Sequence, residues 1–305
     1  MAFILLGCVG LIWGISYPIT ATALGGFDVL TLRSLIQTLG ACAMLAQIMV
    51  MRRSLAIERE TWPDLIIAGL LNMTLLPISF TIGVYLLGPG RTSVLVYTMP
   101  IWASLFARIV LGERLTITRV LGLVFGAGAV AALMSQSLPE LRNAPLGGAV
   151  TLLAAMSYGL GTVWLKRRTW RADLAVVVFW QLVIGTVPIL LIWFVLRFPP
   201  DLARVGAKEW LAAVFLGIVG NGFAYFAWFR VIVLLPAGAA GIGALITPCI
   251  AVVSSVWLAG EILHPHDIAA IAMIVAALLL VVFEQLRLRR RAAKLAGSGN
   301  QTGAL

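Results

Sequence analysis

WPDLIIAGLL (62–71), VYLLGPG (84–90), TMPIW (98–102) and LGERL (111–115) return later in the chain as WLAAVFLGIV (210–219), VIVLLPAG (231–238), ITPCI (246–250) and AGEIL (259–263). A shift of 148 places Trp62 on Trp210, Gly69 on Gly217, Leu86 and Leu87 on Leu234 and Leu235, Pro100 on Pro248, and the pair Gly112, Glu113 on Gly260, Glu261. A shift of 141 extends the match to the start of the chain, where Gly7, Ser16 and Tyr17 fall on Gly148, Ser157 and Tyr158. Unrelated apolar segments have no reason to repeat glycines, prolines and aromatics in one register, so the two halves read as copies.

What is being repeated is set by composition. Hydrophobic residues make up 61% of the 305 residues and charged residues 11%, and the mean hydropathy is +1.04. A water-soluble domain cannot carry that surface, so the chain reads as an all-α integral membrane protein. Apolar runs of about 20 residues, the length that crosses a hydrocarbon core, lie at 2–22, 29–51, 63–87, 90–111, 117–135, 145–165, 173–196, 209–235, 237–259 and 266–287. The expectation is ten transmembrane helices, five per half, with a first repeat over 1–142, a second over 143–290 and a flexible cytoplasmic tail over 291–305. Because five is odd, the second half must enter the bilayer from the opposite side. Inverted repeats of this kind point to alternating access around a midplane site.

The positive-inside rule orients the bundle. With a cytoplasmic N-terminus, the inside collects Arg52, Arg53, Arg59, Arg108, Arg114, Arg119, Lys166, Arg167, Arg168, Arg171, Arg230 and the tail from Arg287 to Lys294. Outside remain Arg91, Arg142, Arg197, Arg204 and Lys208, with Arg33 just inside the second helix. Both termini are therefore expected in the cytoplasm, and the net charge of +10 reads as topogenic, with contact to anionic membrane lipid and no need of a nucleic-acid partner. The first helix lacks the basic n-region of a secretory signal and has a partner in the sixth, so it is expected to stay in the mature protein.

The residues that carry chemistry are few. Asp28, Glu58, Glu60, Asp64, Glu113, Glu140, Asp173, Asp201, Glu209, Glu261, Asp267 and Glu284 all fall in loops or outer helical turns, which leaves no carboxylate proton relay at the midplane. Facilitated diffusion is the mechanism this favours. A membrane enzyme acting on lipid wants clustered acids, a histidine base or a metal, and the acids here are scattered, so no enzymatic activity is expected. His264 and His266 have a spacing that metal ligands can use, without a supporting cluster apart from Asp267; neither metal nor cofactor is expected. Cys8, Cys42 and Cys249 form no C-x-x-C pair and predict no disulfide. Glu113 and Glu261 each follow a helix-ending glycine and suit caps of the next helix.

Polar groups deep in the spans are more informative, since lipid cannot satisfy them. Asn72 and Asn221, with Gln37 and Gln181, either tie helices together or meet a solute. Ser93, Tyr97, Pro100 and Ser104 share one helical face. Trp13, Tyr17 and Thr20 form a similar face on the first helix, and Asn221, Tyr225 and Trp228 do so on the eighth. Aromatic walls with scattered hydroxyls suit small amphipathic solutes, including cationic ones. Pro100 and Pro248 remove a backbone donor near mid-span and are the expected hinges. GLVFGAG (122–128) and GAAGIG (238–243) lack the context of phosphate loops and fit close helix packing.

At this point the chain resembles a known family. WGISYP (13–18), the five-plus-five arrangement, the prolines at 100 and 248, and the segments LGERLT (111–116) and AGEIL (259–263) resemble the drug/metabolite transporter superfamily of EamA type, and within it the YddG-type exporters of aromatic and other amino acids. The resemblance implies a ten-helix bundle with a central cavity between the repeats, in a bacterial inner membrane, exporting amino acids and some toxic cations. The candidate substrate-binding residues are Trp13, Tyr17, Asn72, Ser93, Tyr97, Trp102, Trp164, Asn221 and Tyr225, with Pro100 and Pro248 as hinges. Efflux of drugs or lipophilic cations is the competing reading. One departure between the repeats stands out: Ser157, Tyr158 and Gly159 occupy the places of Ser16, Tyr17 and Pro18, so the two gates need not be equivalent.

Overall fold

In a bilayer an apolar run must satisfy its own backbone hydrogen bonds, which leaves it helical, and every regular element among the described residues is a helix. The structure, a computed structural model, describes residues 2–112, 117–136, 145–196, 202, 205–234, 246–260, 262, 264, 265, 268, 269, 271–273, 275–277, 279, 280, 283 and 287. The first half contains α1 (Ala2–Ala23), α2 (Val29–Val50), α3 (Trp62–Leu70), a π-helical turn (Leu71–Leu75), α4 (Leu76–Leu87), α5 (Pro89–Val96), α6 (Met99–Val110) and α7 (Ile117–Gln136). The second contains α8 (Pro145–Leu165), α9 (Leu174–Val195), α10 (Ala207–Val214), a π-helical segment (Phe215–Phe223), α11 (Ala224–Leu234) and α12 (Ile246–Ala259).

Seven helical stretches are long and apolar enough to cross a membrane: Ile4–Ala23, Val29–Val50, Arg59–Leu87, Pro89–Val110, Pro145–Leu165, Leu174–Val195 and Ala207–Trp228. The protein is thus a multi-pass membrane protein. Of the other three expected spans, the fifth and ninth contain the shorter apolar helices Val120–Ala129 and Thr247–Ala259. The tenth, 266–287, is described only at scattered positions, and Glu113, Glu261, His266 and Asp267 lie outside the described residues.

Local chemistry explains the element ends. Asp28 accepts from the amides of Leu30 and Thr31, both at 2.9 Å, and so caps α2. Asp173 caps α9 in the same way through the amide of Ala175 at 3.0 Å. After α6 and α12 the chain turns at Gly112 and Gly260, each with φ of +68°. A side chain is strained in that left-handed conformation, which accounts for the glycine in both LGERL and AGEIL.

The two π segments also have a local cause or consequence. Pro77 has no N–H to give to the carbonyl of Met73, and Gln37 from α2 donates its side-chain amide to that carbonyl instead. In the neighbouring turn Ser157 Oγ donates to the Leu71 carbonyl at 2.7 Å. In the second half Trp13 Nε1 donates to the Gly220 carbonyl at 3.2 Å. Irregular backbone in an apolar medium is stable only where such partners are supplied.

Packing places α1 against α12 and α11, while α8 packs against α4 and α6. The helix α2 lies along both α9 and the segment Phe215–Phe223, burying Leu32, Ile36, Met44 and Ile48 on one helix and Leu182 and Ile189 on the other. Small residues set the closest approaches. A Cβ on Gly14 of α1 would stand 2.5 Å from Ile250 Cγ2 of α12, and one on Gly159 of α8 would stand 2.7 Å from the Ala103 amide of α6.

Candidate functional site

The site is organised by a break in the helix that carries Tyr97. Pro100 cannot donate to the carbonyl of Val96, and α5 ends at Val96. Tyr97 (φ −70°, ψ 4°) and Thr98 (φ −72°, ψ −6°) then form the joint before α6. Thr98 Oγ1 secures it, donating to the Leu95 carbonyl at 2.6 Å and accepting from Trp102 Nε1 at 3.2 Å. A joint of this kind inside a span leaves backbone polar groups beside whatever space the helix faces.

Several rings converge on the joint. Tyr97 is half-buried, with its ring centroid 6.4 Å from that of Tyr17 on α1. Tyr17 is buried and meets Phe80 of α4 edge-on at 5.0 Å. The Tyr97 side chain lies close to Tyr17 and to Thr247 of α12. Tyr158, at mid-length of α8, stands within electrostatic range of Tyr97 and of Tyr225 on α11, yet keeps 36% of its surface exposed.

A second aromatic group adjoins the first through α1. Trp13 meets Tyr225 edge-on at 5.4 Å and lies tilted against Trp228 at 5.7 Å. Trp13, Tyr17, Tyr97 and Tyr225 are thereby gathered into one aromatic wall, beside Trp228 from the expected aromatic face of the eighth span and with Phe80, Tyr158 and Thr247 as neighbours not expected at the site. Tyr158 could have been found as the repeat equivalent of Tyr17. Phe80 and Thr247 carry no comparable signal.

The other expected site residues have different surroundings. Asn72 Nδ2 donates to Gln181 Oε1 at 3.1 Å, and Asn221 Nδ2 donates to Gln37 Oε1 at 3.5 Å. Each asparagine thus links its π segment to a glutamine on α9 or α2, the interhelical tie that stood as the alternative to solute contact. Ser93 is fully buried and donates within its own helix to the Gly90 carbonyl at 2.7 Å. Trp102 stacks along α6 with Phe106 at 6.4 Å. Trp164 lies in the last turn of α8, where the Arg167 guanidinium covers its ring at 4.3 Å and its buried Nε1 meets no acceptor among the described residues. Pro248 is buried in α12.

Four of the described carboxylates serve helix ends and ion pairs. Asp28 and Asp173 cap helices, Asp64 pairs with Arg168 at 2.7 Å, and Arg171 approaches Glu58 at 3.9 Å. Arg33 behaves unlike the other basic residues near helix ends: it is only 6% exposed, with its guanidinium 5.2 Å from the centroid of the Phe80 ring.

The sequence pattern of the EamA-like transporter family matches residues 1–135 and 145–283. Among similar proteins is the uncharacterized transporter YoaV of Bacillus subtilis (strain 168), 26% identical over 92% of this chain and 94% of that protein. Another, named "Probable terminal-alkyne amino-acid exporter", from Streptantibioticus cattleyicolor, is 25% identical over 92% of this chain and 93% of its own length. A crystal structure with 23% sequence identity superposes with a TM-score of 0.67, covering 94% of this chain and 97% of the other, and shares the fold.

Proposed function

The chain belongs to the EamA-like transporter family, and on that premise we propose that it exports amino acids, aromatic ones among them, from a bacterial cytoplasm by alternating access. The observation that carries this reading is the broken helix at Tyr97 and Thr98, faced by Tyr17 from α1 and Thr247 from α12. A joint in mid-span lined by rings and hydroxyls offers an amino acid both an apolar wall and hydrogen-bond partners. The relative from Streptantibioticus cattleyicolor, named as an amino-acid exporter, supports the substrate class.

The transport cycle we infer uses the repeat. Under the repeat, α1 corresponds to α8 and α12 to the α5–α6 helix, and the packing of α1 on α12 is matched by that of α8 on α6. Two similar contacts on opposite sides of one space can tighten in turn, opening it first to the cytoplasm and then outward. Both termini are then cytoplasmic, in the bacterial inner membrane. Because Asp28 and Asp173 serve as caps and Asp64 and Glu58 as ion-pair partners, the proposed mode is facilitated diffusion.

The cluster of Trp13, Tyr225 and Trp228 also suits a lipophilic cation, which makes cation efflux the second reading. Cells preloaded with labelled phenylalanine distinguish the two. Expression of the chain should speed release of the label, with little effect of an excess quaternary aromatic cation. Release unchanged by expression, alongside accelerated loss of the cation, would replace the first reading with the second.

A further inference from the structure

Arg33 sits in the second turn of α2, and its 6% exposure rules out an ordinary topogenic charge reaching for the headgroups. Its Nε donates to Thr81 Oγ1 on α4. That hydroxyl gives its own proton to the Pro77 carbonyl at 2.8 Å, so it acts purely as an acceptor towards the arginine. The guanidinium plane rests near Phe80 at 5.2 Å, and the same Phe80 ring supports Tyr17. Tyr225 also lies near enough to interact with the Arg33 charge.

A guanidinium has five N–H donors. One is spent on Thr81, and no carboxylate approaches Arg33 among the described residues. The neighbouring acid on the same helix, Asp28, is engaged in capping Leu30 and Thr31. A permanently charged group held inside a span without a counter-ion is costly, and such groups mark solute pathways when their partner arrives from outside the protein. The fork of the two terminal nitrogens matches a carboxylate with two parallel hydrogen bonds.

We propose that Arg33 is the carboxylate-binding residue of the transport site, receiving the α-carboxylate of the solute at the edge of the aromatic wall formed by Phe80, Tyr17 and Tyr225. The inference rests on the amino-acid reading above and sharpens it. The ring of an aromatic amino acid would lie along the tyrosines while its carboxylate pairs with Arg33. The same arrangement disfavours a lipophilic cation, which would meet a fixed positive charge.

The test uses the purified full-length chain and three probes: phenylalanine, 3-phenylpropionate, which keeps the carboxylate and lacks the ammonium, and 2-phenylethylamine, which has the reverse. Binding is read as the shift in thermal unfolding against probe concentration. The expected result is binding of phenylalanine and phenylpropionate but not of phenylethylamine, with affinity for both acids falling roughly tenfold or more in Arg33→Gln and partly kept in Arg33→Lys. Unchanged acid binding in Arg33→Gln would overturn the assignment while leaving the amino-acid reading in place. Binding of phenylpropionate without phenylalanine, lost in Arg33→Gln, would uphold Arg33 and sink the amino-acid reading. If Arg33→Gln does not fold, the wild-type panel and Arg33→Lys decide: preference for phenylethylamine, or no binding of any probe, overturns the proposal.

Discussion

Tyr17 on α1 and Tyr158 on α8 occupy the same place in the repeated motif and have opposite surroundings. Tyr17 is sealed at 6% exposure between Phe80 and Tyr97, whereas Tyr158 is 36% exposed while facing Tyr97 and Tyr225. Both helices make a close small-residue contact nearby, α1 through Gly14 with α12 and α8 through Gly159 with α6. The two halves thus share a packing scheme, but one of the paired tyrosines is sealed and the other partly exposed. Under the proposed alternating cycle, such an asymmetry is what a single state would show.

The severest way to break this comparison is to remove the close approaches. Gly159→Leu would drive a side chain into the backbone of α6, and Gly14→Leu into Ile250 and the Thr247 carbonyl of α12. Each is expected to cost about 3 kcal/mol or more, the upper range for overpacking, and to lower the unfolding temperature in detergent with loss of transport. Normal stability in either variant would show that the contact has slack.

A subtler test compares exposure directly. In a background without native cysteines, Tyr158→Cys should react with a small charged thiol reagent at least about tenfold faster than Tyr17→Cys, the ratio expected if one position is sealed in the populated state. Equal rates would mean that both faces are open on average. Tyr97→Ala, at the joint between the two, should cut transport roughly tenfold or more with the protein still folded, since it removes a ring and a hydroxyl from the wall. Retained activity there would exclude the joint from the site.

Smaller effects belong to the flanking ties. Asn72→Ala removes the donor to Gln181 Oε1, and Asn221→Ala the donor to Gln37 Oε1; each should lower stability by about 0.6–1.7 kcal/mol, the range for interhelical hydrogen bonds in membranes. A loss of transport without loss of stability in Asn221→Ala would return that residue to solute contact. Arg167→Gln, which uncovers Trp164, should cost no more than about 1 kcal/mol.

How much of this could be read beforehand depends on what each residue type reports. Gly112 and Gly260 were legible because a left-handed turn demands glycine, and the repeat aligned them. Pro100 announced the joint, because a missing N–H in mid-span has a predictable consequence. Asn72 and Gln181 were legible as buried polar groups but not as partners, since pairing across 109 residues depends on how helices cross. Neither π segment was legible, because a one-residue slip in the hydrogen-bond ladder barely alters an already apolar pattern. Arg33 was misleading for a physical reason: an arginine near a helix end usually orients the chain, and only its burial against Phe80 separates it from that group.

The central claim is tested most directly by uptake of labelled phenylalanine into liposomes that contain the purified protein and are preloaded with unlabelled phenylalanine, with and without an imposed pH gradient. The account predicts saturable uptake above that of protein-free liposomes and no dependence on the gradient. Uptake indistinguishable from protein-free liposomes would contradict amino-acid transport, and uptake that requires the gradient would contradict facilitated diffusion.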